Sequence, residues 1–444
     1  MKKLERLVRQ SPYSAYSYSY PHKSAYRAFE TPCDLTELWS REKRDSLFLY
    51  IHIPFCGKRC GFCNLFSMAK PDQSMQQNFI TTLKRQAEVM AGLTGDFRFS
   101  RFALGGGTPT YLDSEALETV LDITETVMGV DLLAVPGSVE ASPDSMTPEK
   151  LNLLKTRGID RISLGVQSFI DSETISLARP QKREMVDDLI ERIKAMGFPV
   201  LNLDLIYGIP GQTSDSWASS IEQAVLHDVQ EIYIYPLYIR PLTGLGKSSK
   251  LKQKEAGDFR AGLYHAGRKQ LLDSGYTQVS MRMFKKTGMK EGADEPVYCC
   301  QEDGMIGLGP GARSYTQNFH YSSEYAVGRD AVASIVDAYC TRSREQFALA
   351  PFGIRLNDGE QKRRYIVKSV LTMDGLNRLD YKNIFGSEPM DDFPQLAELV
   401  ELGLGSEANE RIILNEKGIS FSDTIGPWLI SPEVRELMDG SVIR

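Results

Sequence analysis

From Leu47 to about residue 240 the chain alternates short apolar runs with segments of helical spacing. The runs are Leu47–Ile53, Arg101–Leu104, Ser138–Ala141, Arg161–Val166, Leu201–Tyr207 and Glu231–Leu237. Their length and β-branching predict six strands. Between them, Phe79, Leu83, Ala87 and Met90 recur on one helical face, and Leu117, Val120, Leu121 and Thr124 on the next. Thr147 followed by Pro148 marks a helix start, a capping side chain before the residue that needs no N–H. Six strand-then-helix units imply parallel strands joined by crossovers, with both sheet faces buried. A closed barrel of this kind takes about eight such units. The expectation is therefore an α/β fold built on a partial, open-sided (β/α)6 barrel.

The flanks break this rhythm. Ser11–Phe29 is rich in tyrosine, at positions 13, 16, 18, 20 and 26. It reads as an irregular segment laid across the body by its rings, or as a flap over a site. Met305–Tyr315 is a glycine-dense turn, and residues 316–350 look helical and mixed. From Leu356 onward the pattern suggests two or three short helices and a small β-ribbon, a winged-helix-like α+β module for packing or for covering substrate. The expected division is an N-terminal segment over 1–44, the barrel over 45–250, a barrel extension over 251–350 and the C-terminal module over 351–444.

The unusual residues cluster where each predicted strand ends. Cys56, Cys60 and Cys63 follow the first, Gly105–Thr110 the second, and Glu140 closes the third. Gln167 closes the fourth, Asp204–Gln212 covers the fifth, and Tyr238 follows the sixth. Parallel α/β architectures bind ligands at the carboxyl ends of their strands, so these features describe one site.

Three cysteines spaced Cys-x-x-x-Cys-x-x-Cys, with no fourth and no histidine after them, do not complete a structural zinc site locally. Zinc would need Cys33, Cys299, Cys300 or Cys340 from far along the chain, since His52 reads as a wall residue on its strand. A [4Fe–4S] cube held by three thiolates keeps one iron open for a small chelating ligand. Lys58 and Arg59 would partly offset its charge, or stand as solvated surface charge. The glycine run lets backbone approach an amino-acid moiety, Glu140 suits a ribose diol, and Arg179 suits a carboxylate.

Composition narrows the function classes. A net charge of −6 over 444 residues argues against a nucleic-acid binder. No stretch approaches ~18 consecutive apolar residues, so no membrane span is expected. The N-terminus lacks the apolar core of a secretory signal, and seven cysteines are no disulfide framework, which makes the cytoplasm the expected location. The adjacent Cys299 and Cys300 read as buried packing or as a redox pair.

The order and wording of the motifs "YIHIPFC", "CGFC", "GGGTPTYL", "LGVQSF" and "NLDLIYGIPGQT" resemble the radical S-adenosylmethionine (SAM) superfamily, and within it the coproporphyrinogen dehydrogenase-like (HemN-like) family, over residues 45–430. The resemblance implies that Cys56, Cys60 and Cys63 hold a [4Fe–4S] cluster whose open iron takes SAM. By position it implies that Tyr50, Gly106 and Glu140 contact that SAM. Phe62, Gly107, Thr108, Gln167, Arg179, Asp204, Tyr238 and Arg313 correspond to the family's second SAM site. The implied activity is reductive cleavage of SAM to a 5′-deoxyadenosyl radical, with an electron donor such as flavodoxin or ferredoxin. The implied substrate is a porphyrinogen or other small molecule, whose carboxylates Arg240, Arg282 and Arg313 could meet. The sequence departs from the dehydrogenase at Leu65, where a further cysteine is expected, at Glu295, expected as glutamine, and at Arg313, expected as aliphatic. A methyltransferase using the second SAM and a haem-binding chaperone of the HemW-like kind are the alternative readings.

Overall fold

The computed structural model describes residues 2–17, 19–95, 97–248, 258–288 and 304–441. Tyr18, Glu295, Cys299 and Cys300 lie outside the described residues. The six predicted strands form, with ends moved by two residues at most, as Leu47–Ile53, Phe99–Gly106, Gly137–Ala141, Arg161–Gln167, Val200–Tyr207 and Glu231–Pro236. Each pairs in parallel with the next in that spatial order. Phe79, Leu83, Ala87 and Met90 are buried under the sheet, as are Leu117, Val120, Leu121 and Thr124. Thr147 caps its helix by accepting from the Lys150 N–H.

The sheet extends beyond those six. Met305–Leu308, inside the stretch expected to be only a glycine-dense turn, is a seventh parallel strand beside Leu47–Ile53. Gly307 within it, with Gly309 and Gly311 just beyond, hid it by leaving only Met305, Ile306 and Leu308 with apolar side chains. Past it run Arg313–Tyr315, Phe319–Ser322, Leu349–Arg355 and Arg27–Asp34, all antiparallel. Arg27–Asp34 therefore makes a strand out of the end of the segment expected to be irregular. Beyond Glu231–Pro236 the antiparallel hairpin Met283–Lys286 and Tyr276–Gln278 closes the other edge. Among the described residues, the thirteen strands of this sheet follow one another in an open order, so the barrel does not close on itself.

The C-terminal region has its own apolar core around Ile366, Leu399, Ile412 and Trp428. There the helix Asp358–Val370 is followed by the short strand Leu376–Asn377, the helices Arg378–Phe385 and Ala397–Glu401, and the hairpin Gly405–Ala408 with Arg411–Leu414. Leu4, Tyr20, Ala25 and Tyr26 from the N-terminus pack into the same core. Among the described residues, no helix is long and apolar enough to cross a membrane.

Candidate functional site

The cysteine loop is held by backbone bonds to three neighbouring loops. Gly61 N–H donates to Leu177 O at 2.7 Å, and Leu245 N–H donates to Gly61 O at 2.7 Å. Thr108 N–H donates to Phe55 O at 2.7 Å, and Gly107 N–H to Ile53 O at 2.8 Å. These bonds lay the glycine run against the first cysteine. A Cβ on Gly107 would stand 2.5 Å from Phe55 O and 3.0 Å from Cys56 Sγ, so only glycine lets the backbone come this close. Lys150 fixes the far end of that run, donating to Thr110 O at 2.7 Å and to Ser145 O at 3.0 Å.

Each thiol has a donor or hydroxyl beside it. Thr108 Oγ1 donates to Cys56 Sγ at 3.6 Å, Arg179 Nη1 to Cys60 Sγ at 3.3 Å, and Ser67 Oγ lies 4.0 Å from Cys63 Sγ. Burial pushes the Cys56 thiol up to about 11 and raises Cys63 as well, and the neighbouring cysteines add to both. Bare thiolates at Cys56 and Cys63 are thus disfavoured, and a positively charged group must accompany their ionisation. Among the described residues, no three His, Cys, Asp or Glu side chains converge as one metal ion requires. A [4Fe–4S] cube takes thiolates at its separate iron corners, and three free cysteines on this loop are the donors available for it.

The second and third strand ends form the next wall. Glu140 Oε2 accepts from Gly106 N–H at 3.1 Å. The space beside Gly105 is bounded by Tyr50 Oη and Glu140 Oε1, each 2.9 Å from where a Cβ would stand. Water reaches Glu140 from the mouth, but the surrounding protein raises its carboxyl to about 7. Crowding is the largest cause; the Gly106 N–H opposes it and the charge of Asp204 reinforces it. His52 lies behind this wall, its Nε2 2.9 Å from Phe66 O and its Nδ1 3.3 Å from Tyr50 Oη. Burial holds His52 neutral, near 4, as suits a wall residue.

The fourth and fifth strand ends complete the floor. Gln167 takes φ +68° at a bulge between Gly165 and Gln167, an uncommon conformation for a residue with a side chain. Arg179 Nη2 donates to Gly165 O at 2.7 Å, and its buried Nε has no hydrogen-bond partner among the described residues. Asp204 accepts from Asn202 Nδ2 at 2.9 Å, and burial raises its carboxyl, with Arg161 opposing. The rest of "DLIYGIPGQ" is scaffold. Gln212 Oε1 accepts from Gly208 N–H at 2.6 Å, while its Nε2 donates to buried Glu173 at 2.9 Å.

Residues 50–224 match the family described as the radical SAM superfamily. The chain carries a radical SAM domain. It is 29% identical over 383 residues to the heme chaperone HemW of Bacillus subtilis, covering 83% of this chain and 95% of that one. It is 26% identical over 432 residues to the oxygen-independent coproporphyrinogen III oxidase of Escherichia coli, covering 92% and 90%. The solved structure of coproporphyrinogen III oxidase (HemN) from Escherichia coli, described as a radical SAM enzyme, superposes with a TM-score of 0.79 at 21% identity. It covers 94% of this chain and 99% of that one, and the likeness extends through the C-terminal module. A [4Fe–4S] cluster and SAM are the cofactors of this superfamily, and the three thiols, the Gly107 cradle and the unpartnered Arg179 Nε suit them.

Not every expected residue of the radical SAM domain and its extension faces the cysteines. Phe62 packs into an apolar cluster with Leu177, Ile206, Leu237 and Leu245. Tyr238 donates from its hydroxyl to Asp423 of the C-terminal module. Arg282, a candidate for substrate carboxylates, is instead paired with the same Asp423 in a buried ion pair. Arg313 donates to Ser19 Oγ at 3.2 Å, and Arg240 lies over the Tyr238 ring. Lys58 pairs with Asp144 at 2.9 Å, and Arg59 donates to Val327 O, so both are taken up by protein groups. Sequence reasoning missed Lys23, Asp423 and Ser67. The tyrosine-rich segment that carries Lys23 was the only signal for the first; nothing local marked the other two.

Proposed function

We propose that this protein is an enzyme that cleaves SAM reductively and acts on a carboxylate-rich tetrapyrrole, in the manner of oxygen-independent coproporphyrinogen III oxidase. The observation that carries the reading is the placement of three thiols, a glycine cradle and Glu140 along one sheet edge, joined by hydrogen bonds. Cys56, Cys60 and Cys63 would hold the [4Fe–4S] cluster. When bound there, the cluster supplies one electron to SAM, which yields methionine and a 5′-deoxyadenosyl radical able to take a hydrogen atom from the substrate.

The chain's own residues bind and orient. Thr108 donates to the Cys56 sulfur and so favours its thiolate form, and Arg179 donates to the Cys60 sulfur. Gly106 and Gly107 present backbone to the amino-acid part of SAM, and Tyr50 with Glu140 bounds a space suited to its ribose. Gln167, turned by its bulge, and Asp204 line the adjacent floor, where a second SAM would sit. Phe62 would flank that second SAM, and Tyr238 and Arg313, tied to the terminal segments, would close its outer side.

A haem-binding carrier is the second reading. It is favoured by the similarity to HemW over 95% of that chain, and by Leu65, exposed where the dehydrogenase carries a further cysteine. The methyl-transfer reading receives no support from the relatives named above. Product analysis separates the two that remain. Anaerobically reconstituted protein with SAM, a reductant and a porphyrinogen is expected to release 5′-deoxyadenosine. Stable haem uptake with no SAM cleavage would overturn the enzyme reading in favour of the carrier. Cys60→Ala is expected to abolish iron loading, and unchanged iron content would refute the cluster assignment.

A further inference from the structure

The N-terminal segment crosses the mouth of the barrel and delivers a lysine to the cysteine loop. Ser11 O accepts from Thr424 Oγ1 at 2.7 Å, and Ala15 N–H donates to Asp423 O at 3.0 Å. The Tyr16 ring lies 3.7 Å from the Arg282 guanidinium, and Ser19 Oγ accepts from Arg313. Lys23 comes next, its Nζ 3.2 Å from the centroid of the Tyr325 ring. The Tyr325 hydroxyl in turn donates to the carbonyl of Asn64, the residue after Cys63. The ring is fastened to the cysteine loop, and the ammonium rests on the ring.

Lys23 makes no ion pair with a carboxylate among the described residues, and its neighbourhood is otherwise cationic. Burial and the charge of Arg313 both disfavour its ammonium, and Cys63 is the group that favours it. A ring face is a weak counter-charge for an ammonium taken out of water. Without a counter-charge, burial and Arg313 hold the Lys23 pKa well below the usual lysine range, so the amine is pushed toward its neutral form. A negatively charged cluster on the cysteine loop provides that counter-charge.

We propose that Lys23 compensates the charge of the cysteine site: seated by the N-terminal segment, its ammonium stabilises the reduced state of the bound [4Fe–4S] cluster. The inference rests on the cluster reading above. Reduction transfers one electron from a low-potential one-electron donor, which is itself oxidised by one; no bond is made or broken and no proton moves. The site becomes more negative by one charge, and a fixed cation beside it favours that state. Closing the mouth and taking up the electron are then linked through one segment.

A redox titration of the reconstituted full chain, followed by the visible and electron paramagnetic resonance signals of the cluster, tests this. Lys23→Met is expected to make one-electron reduction about tenfold less favourable, a fall of about 59 mV in midpoint. Lys23→Arg keeps the charge and is expected to stay within about threefold of the parent. Tyr325→Leu, which removes the seat and leaves the lysine, should shift the midpoint in the direction of Lys23→Met. Iron content is measured first. A parent chain without a cluster defeats the cysteine assignment and this inference together. A Lys23→Met chain with full iron and an unchanged midpoint overturns this inference alone. If that variant loads poorly, Lys23→Gln is titrated in its place, and an unchanged midpoint there overturns the inference equally.

Discussion

Glu140 is a carboxyl group whose two oxygens face different tasks. Oε2 is occupied by the Gly106 N–H, while Oε1 looks onto the space it shares with Tyr50 Oη. Crowding by protein raises its pKa to about 7, although water at the mouth moderates the effect. The ionised form is the stronger acceptor for a ribose hydroxyl. Above pH 7 the carboxylate predominates and below it the acid, so SAM affinity should weaken as pH falls. Between pH 8 and pH 6 the loss is up to about tenfold, the change in ionised fraction across such a pKa. Glu140→Gln should bind SAM more weakly and lose this part of the pH dependence. Equilibrium binding of the two proteins at both pH values checks it, and parallel profiles would sink the ribose assignment. The three cysteines and Glu140 were legible because each is marked by spacing or by its place after a strand. Lys23 and Asp423 were not, because Lys23 rests on the distant Tyr325 and Asp423 meets Arg282 across 141 residues, and no local pattern encodes such a contact.

At the scale of elements, the parallel strands were legible from short apolar runs, since a strand buried on both faces has little choice of side chain. Met305–Leu308 escaped because its glycine at 307 packs against the Arg313 backbone, where a side chain would not fit. The docking of the helix Ser422–Leu429 could not be drawn from sequence. The helix carries Asp423, 1% exposed, against Arg282, 4% exposed, and the same carboxylate accepts from Tyr238. One buried pair thus ties the C-terminal module to the turn of the edge hairpin before Met283–Lys286, and the Tyr238 bond ties it to the loop after the sixth strand. Removing one partner leaves the other charged and buried, whereas removing both does not. Asp423→Leu should therefore cost about 3–5 kcal/mol of stability, and Asp423→Leu with Arg282→Met should recover most of it. Chemical denaturation of the singles and the double gives the comparison; a double variant as unstable as the sum of the singles would show that the pair is not the joint.

At the scale of the molecule, the two ends of the chain meet over the mouth of the barrel. The N-terminal residues Leu4, Tyr20 and Tyr26 are part of the C-terminal core, so the segment between them is anchored on both sides. Within that span, the Tyr13 ring packs on the Arg260 guanidinium and the Tyr16 ring on that of buried Arg282. The tyrosine-rich composition was visible in the sequence, and the rings of Tyr13 and Tyr16 do lie across the body, on Tyr207 and Tyr235 near the ends of the fifth and sixth strands. A segment anchored on both sides of these rings would also cover the strand ends beneath it. Radical chemistry at an iron–sulfur cluster requires that oxygen and bulk water be kept out. Tyr16→Ala removes one ring of the seal without touching the cysteines or either core. Anaerobically reconstituted, this variant should carry the same iron as the parent. Transferred to air-saturated buffer, it should lose its visible cluster absorbance several-fold faster. Equal rates of loss would mean that the segment stabilises the fold but does not shield the site, and that the barrier to oxygen lies deeper, at the cysteine loop itself.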